Sequence, residues 1–147
     1  MSIFFIIAQA IGLLAFTSGW LRGGHVERFG AGVLLCDYAV TGLASGTAGE
    51  RTVVAASAFV VATVFVWLSL RSGRWWPFVT AAALVLCVMV FFLEWLNPGL
   101  SSYAAVSAQL GLWIVAYLAL LAGVGERWLA GEDAVSPAAA WRRHSAT

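Results

Sequence analysis

The chain has 147 residues, of which 62% are hydrophobic and only 10% charged, and its mean hydropathy is +0.91. A water-soluble domain carries roughly a quarter charged residues, so this composition excludes a soluble enzyme and a disordered linker. Eight basic residues against seven acidic ones leave no surplus to neutralise phosphates, which excludes a nucleic-acid partner. The partner that the composition implies is the lipid bilayer.

A bilayer core about 30 Å thick needs roughly 20 apolar residues of helix. Five stretches qualify, approximately 3–21, 29–45, 52–70, 78–96 and 103–124. The predicted fold is therefore an all-α integral membrane protein, an up-down bundle of five transmembrane helices in one domain over 1–124, with a cytoplasmic, partly disordered tail over 125–147. No segment alternates with period two over ten residues, which excludes a membrane barrel.

The first stretch is interrupted only by Gln9, Thr17 and Ser18 and stops at Arg22-Gly23-Gly24-His25. Ala8-Gln9-Ala10 has the form of a signal cleavage site, but no basic region precedes it, so the first helix is expected to be retained. The second stretch is the weakest, being short, rich in glycine and interrupted by Asp37. The third ends at Arg71-Ser72-Gly73-Arg74, and the fourth, Phe78 to Leu96, is bounded by Pro77 before and by Asn97-Pro98-Gly99 after, where proline before and Pro-Gly after are helix punctuation. The fifth reaches Val124. Loops of five to eight residues join these spans, so consecutive helices return antiparallel.

All eight basic residues are Arg. With five spans, Arg22, Arg28, Arg71, Arg74, Arg127, Arg142 and Arg143 fall on one side and Arg51 alone on the other. Positive charge near helix ends marks the cytoplasm, which places the N-terminus outside and the C-terminus inside. Demoting the second span to a re-entrant segment dissolves this bias. Trp20, Phe29, Trp75, Trp76 and Trp128 are expected as an inner aromatic belt, with Phe4, Phe5, Trp95 and Tyr103 as an outer one.

No Walker loop, HExxH, GxSxG or GxGxxG occurs. Cys36 and Cys87 lie in spans without a CxxC or a neighbouring His, and His25 and His144 lie outside the spans, so no metal site, haem or other cofactor is expected. An ionisable group at bilayer depth costs about 2.5–3.5 kcal/mol, which makes such a group a functional candidate. Asp37 is that group, with Gly30, Thr41 and Ala44 on its helix face. Gln9 and Gln109 are at a depth from which they could meet it, whereas Glu94 is expected at the interface beside Trp95 and Asn97. Small residues at four-residue spacing, Gly42 with Gly46, Ser107 with Gly111 and Ala119 with Gly123, are candidates for close helix packing. In the tail, Trp141-Arg142-Arg143 could rest on the cytoplasmic leaflet.

Gly23-Gly24-His25-Val26-Glu27-Arg28 and Arg71-Ser72-Gly73-Arg74-Trp75-Trp76-Pro77 resemble the loops of small multi-pass inner-membrane proteins of GC-rich bacteria. That resemblance implies a multi-helix protein of the bacterial inner membrane and brings no activity or catalytic residue with it.

Two functions follow from the residues. One is a non-catalytic structural or accessory component of the membrane, alone, as a homo-oligomer or in a larger complex, with Asp37 fixing helix packing through a hydrogen bond to Gln9 or Gln109. The other is a small proton-coupled transporter or channel that uses Asp37. An enzyme is not expected.

Overall fold

The computed structural model describes residues 3–97, 99 and 102–131. Its architecture is five α-helices and no strand among the described residues: α1 Ile3–Arg22, α2 His25–Ala44, α3 Glu50–Ser72, α4 Trp75–Leu96 and α5 Ser102–Leu129. Three of them, α3, α4 and α5, are long and apolar enough to cross a membrane, and Ile6–Arg22 of α1 is a shorter apolar helix.

The helices are longer than the hydropathy pattern suggests, and the connections shorter. Only Gly23-Gly24 separates α1 from α2, and only Gly73-Arg74 separates α3 from α4. Gly73 adopts φ +60°, the left-handed conformation that closes a helix C-terminus and that glycine enters without a Cβ penalty. Pro77, expected outside α4, is its third residue, where the first turn has no intrahelical acceptor for the missing N–H. Likewise α2 begins at His25 rather than at 29, because Glu27 reaches back to the Gly24 N–H and the Arg28 N–H donates to the Gly24 carbonyl, which continues the helix to that end. Gly125–Leu129, assigned to the tail, extend α5 instead. The remainder of the expected tail, with Trp141, Arg142 and Arg143, lies outside the described residues, as do the side chains of Phe4 and Phe5.

Neighbouring helices pack as α1·α2, α2·α3, α3·α4, α4·α5 and α5·α1, which closes a five-membered ring, and α2 also touches α5 through its middle. The inward stripe of α2, Glu27, Gly30, Ala31, Leu34, Asp37 and Ala44, follows the three- and four-residue spacing of one helix face. Around it Leu34, Phe65, Trp76, Leu84 and Leu120 form the dry centre, each at most 1% exposed. The outer surface is apolar on every helix, with Leu13, Leu43, Leu70, Leu86 and Leu118 among its exposed side chains.

Trp76 is the largest correction to the expected aromatic belt. It is fully buried rather than interfacial, and its ring stands edge-on to Phe65 with centroids 6.2 Å apart. A Cβ at Gly30 would lie 2.7 Å from its Cη2, and one at Gly123 would lie 2.6 Å from its Cγ. The indole thus fills a slot that two helices open by having no side chain at those positions.

The glycines that permit close approach are therefore not those expected at the outer end. A methyl group added at Gly42, Gly46 or Gly111 would have nothing within 4 Å of it, and Ser107 is exposed. Gly46 has φ +79° and shapes the turn after α2, where its N–H donates to Glu50 Oε2 at 2.7 Å. Of the expected small-residue pairs, Ala119 with Gly123 is the one found in the interior.

Candidate functional site

Two polar centres lie inside the ring, one toward each end. At the end where α1 finishes and α2 starts, Glu27 is 0% exposed. Its position follows from the chain: Gly24 caps α2, and a glutamate three residues on can reach back to the cap N–H. Gly24 N donates to Glu27 Oε2 at 2.9 Å. Arg74 Nη1 stands 3.6 Å from Oε1 and Arg127 Nη1 stands 3.6 Å from Oε2. A Cβ at Gly24 would meet the Arg127 guanidinium and Glu27 Oε2, so any larger residue there would displace the ends of these two side chains. One carboxylate thereby joins the start of α2 to the α3–α4 connection and to the end of α5. Beside it Trp75 Nε1 donates to Glu126 Oε2 at 2.6 Å, a second tie between α4 and α5.

Toward the other end the ring is hollow. A cavity of about 400 Å³ extends from Asp37 toward the start of α1 and the end of α2, and all five helices contribute to its wall. Gln9 enters from α1, Thr41 from the turn of α2 above Asp37, Ala58 from α3 and Phe91 from α4. From α5 come Leu110, Trp113 and Tyr117, one face by three- and four-residue spacing. Trp113 and Tyr117 lie with ring centroids 5.7 Å apart, and Phe16 meets Tyr117 edge-on at 5.6 Å.

Asp37 is 6% exposed, and its Oδ1 is buried without a hydrogen-bond partner among the described residues. The Ser57 side chain approaches the carboxyl from α3, but its hydroxyl donates to the Val54 carbonyl at 3.0 Å. With α2 running from His25 to Ala44, Asp37 is about 18 Å from the start of its helix and about 10 Å from the end at 1.5 Å per residue. It lies where the packed interior gives way to the cavity.

The structure brings Gln9 and Asp37 to the same cavity and leaves Gln109 off it. Depth alone does not decide such a meeting: Gln109 precedes Leu110 by one residue, a turn of about 100° around α5, and is half-buried beside the wall instead of in it. Glu94 is half-buried in a separate groove between α3 and α4 that it shares with Arg51 and Trp95. Cys36 is exposed, Cys87 is buried, and they are not joined. Among the described residues no group of three or more His, Cys, Asp or Glu is placed to hold a metal ion.

Sequence reasoning missed Glu27, taken as a loop residue, and the aromatic wall. The signal for the first was Gly24 with a glutamate at the third helical position. For the second it was the 110, 113, 117 stripe on a helix whose polar residue, Gln109, drew attention one position away. No protein-family model matches the chain, and neither the curated proteins nor the solved structures offer a match from which a family could be read.

Proposed function

We propose that the chain is a small multi-pass carrier of the bacterial inner membrane, in which a solute bound at the Asp37 cavity exchanges with a proton on the Asp37 carboxyl group. In this proposal α1 and α2 span together with the three longer helices. Each has 20 residues, about 30 Å of helix and equal to the hydrocarbon thickness, and both are needed to close the ring around the cavity. Arg22, Arg28, Arg71, Arg74 and Arg127 gather at the end opposite the cavity, while Arg51 lies at the cavity end. The rule that positive ends face the cytoplasm then puts the N-terminus and the cavity mouth outside and the end of α5 inside.

The observation that carries the proposal is the buried, unpartnered Asp37 Oδ1 at the wall of a cavity lined by every helix. A carboxyl group that served only to pin helices together would have both oxygens matched to donors on a neighbour, whereas Ser57 of α3 approaches this one and Oδ1 is left unmatched. The test is proton flux across vesicles reconstituted with the purified chain, opposite in direction to the solute, read with an internal pH dye after jumps of choline, glycerol or acetate and taken in excess of protein-free vesicles, which acetic acid crosses unaided. Wild type should respond to at least one probe, and Asp37→Asn should abolish the response with its helix content unchanged. An unaffected variant, or a wild type silent to all three, refutes carriage.

The non-catalytic structural or accessory function draws on the opposite half of the bundle, where Glu27, Trp76 and their partners form a rigid interior. It predicts silence to all probes and co-purification with a stoichiometric partner.

A further inference from the structure

We infer that the Asp37 cavity is a site for a small organic cation, an ammonium carrying short alkyl groups. The inference deepens the carrier proposal and rests on it only in taking the cavity as a ligand site. Among the described residues Asp37 is the one charged side chain on the cavity wall, so an anion would meet a like charge and a neutral solute would leave the carboxylate uncompensated. The rest of the wall is suited to a cation with a greasy shell. Tyr38, Phe91, Trp113 and Tyr117 all face the space, and aromatic faces attract ammonium groups, most strongly where water is excluded.

Inorganic cations fit poorly by the same inventory. Hard metal ions take about six or more oxygen ligands drawn in around one point, whereas the side-chain oxygens here, on Gln9, Asp37, Tyr38, Thr41, Ser45 and Tyr117, stand on three helices and the turn after α2 around a space of about 400 Å³. An alkylammonium needs one counter-charge and apolar contacts elsewhere. The volume agrees: about 400 Å³ corresponds to roughly a dozen waters at ~30 Å³ each, toward the lower end of small-molecule pockets.

The experiment is equilibrium binding of methylammonium, tetramethylammonium and choline to the full chain in nanodiscs, against 3,3-dimethylbutanol, the uncharged isostere of choline. Saturable binding of at least one cation at one per chain is expected, with the isostere at least tenfold weaker. Asp37→Asn should weaken cation binding at least tenfold. Because that variant could unfold, Trp113→Leu, at a half-buried wall position, provides a second measure and should weaken binding several-fold without touching the charge. Equal affinity for choline and its isostere, cation binding indifferent to both substitutions, or no saturable binding of any of the three cations overturns the inference. Cation binding without proton flux sustains this site and removes the carrier proposal. Flux driven only by glycerol or acetate sustains carriage and overturns the cation.

Discussion

Gly123→Ala adds one methyl group and should nevertheless be costly. Its Cβ would meet Trp76 at Cγ, 2.6 Å away, at Nε1, 2.9 Å away, and at Cδ1. The indole has little room to retreat, since its far edge lies against the Gly30 backbone, where an added Cβ would stand 2.7 Å from Cη2, and Phe65 stands edge-on to the ring. Overpacking a filled interior costs about 1–3 kcal/mol, and replacing glycine with alanine inside a helix returns up to about 1 kcal/mol. A net loss of about 1–2 kcal/mol is expected, measurable as an earlier transition in SDS titration of mixed micelles followed by far-UV circular dichroism. Trp76→Ala should itself be destabilising, by roughly 3–5 kcal/mol, the cost of truncating a buried aromatic. In that background, however, Gly123→Ala should be neutral or stabilising, because the ring it would meet, Cγ included, is gone. Additive effects, or a stabilising Gly123→Ala in the wild-type background, would refute the slot. Gly42→Ala and Gly111→Ala, with nothing within 4 Å, serve as controls and should show no loss.

Glu27→Gln keeps an oxygen for the Gly24 N–H but removes the charge between Arg74 and Arg127. Breaking a buried ion pair costs about 3–5 kcal/mol; with Arg74 27% and Arg127 14% exposed, about 2 kcal/mol is expected. Glu27→Ala should cost about 1 kcal/mol more through loss of the helix cap, and equal stability of the two variants would show that the cap hydrogen bond contributes nothing. Access to the cavity is checked by labelling single cysteines, introduced into a chain with both Cys36→Ser and Cys87→Ala, with a membrane-impermeant methanethiosulfonate. Ser45→Cys, at the exposed mouth, should react readily, and Leu34→Cys, at 0% exposure, should not. Comparable rates at both positions would mean that the interior beyond Asp37 is open.

Much of the helical order was legible because apolar runs bounded by Gly, Pro and Arg allow few alternatives. What hydropathy misjudged were the ends. Glu27 and Arg28 lower the mean of any window containing them, yet they belong to α2 because a carboxylate at the third helical position is favoured by the cap and the helix dipole. Asp37 was legible as an expensive residue with no use in a lipid-facing helix, and Gln9 followed by depth. Gln109 did not, since hydropathy gives position along an axis and the cavity wall is set by rotation about it. The Trp76 slot was equally hidden: a tryptophan beside Arg74 and Trp75 reads as interfacial, and only the meeting of α2 with α5 shows that Gly30 and Gly123 open a space for it.

The two halves of the ring differ in side-chain size. Toward the Arg-rich end the buried residues include Phe65, Trp76, Leu84 and Leu120, and toward the cavity end they shrink to Ala8, Ala44, Ala58 and Ala105. Under the carrier proposal, a bundle packed at one end and hollow at the other, with Asp37 at the boundary, is at rest with its site facing one side. Reaching the opposite state would require the seal to part, and its polar and steric ties include the Trp76 slot, the Trp75–Glu126 hydrogen bond, and Glu27 with its two arginines. If carriage is correct, Glu27→Gln should do more than lower stability. It should make Leu34→Cys reactive to the impermeant reagent from the Arg-rich side, in chains whose helix content matches wild type, and slow the labelling of Ser45→Cys in proportion. A Glu27→Gln chain that loses stability while Leu34→Cys stays protected would mean that the cluster only holds the fold together, and that the sealed half does not open.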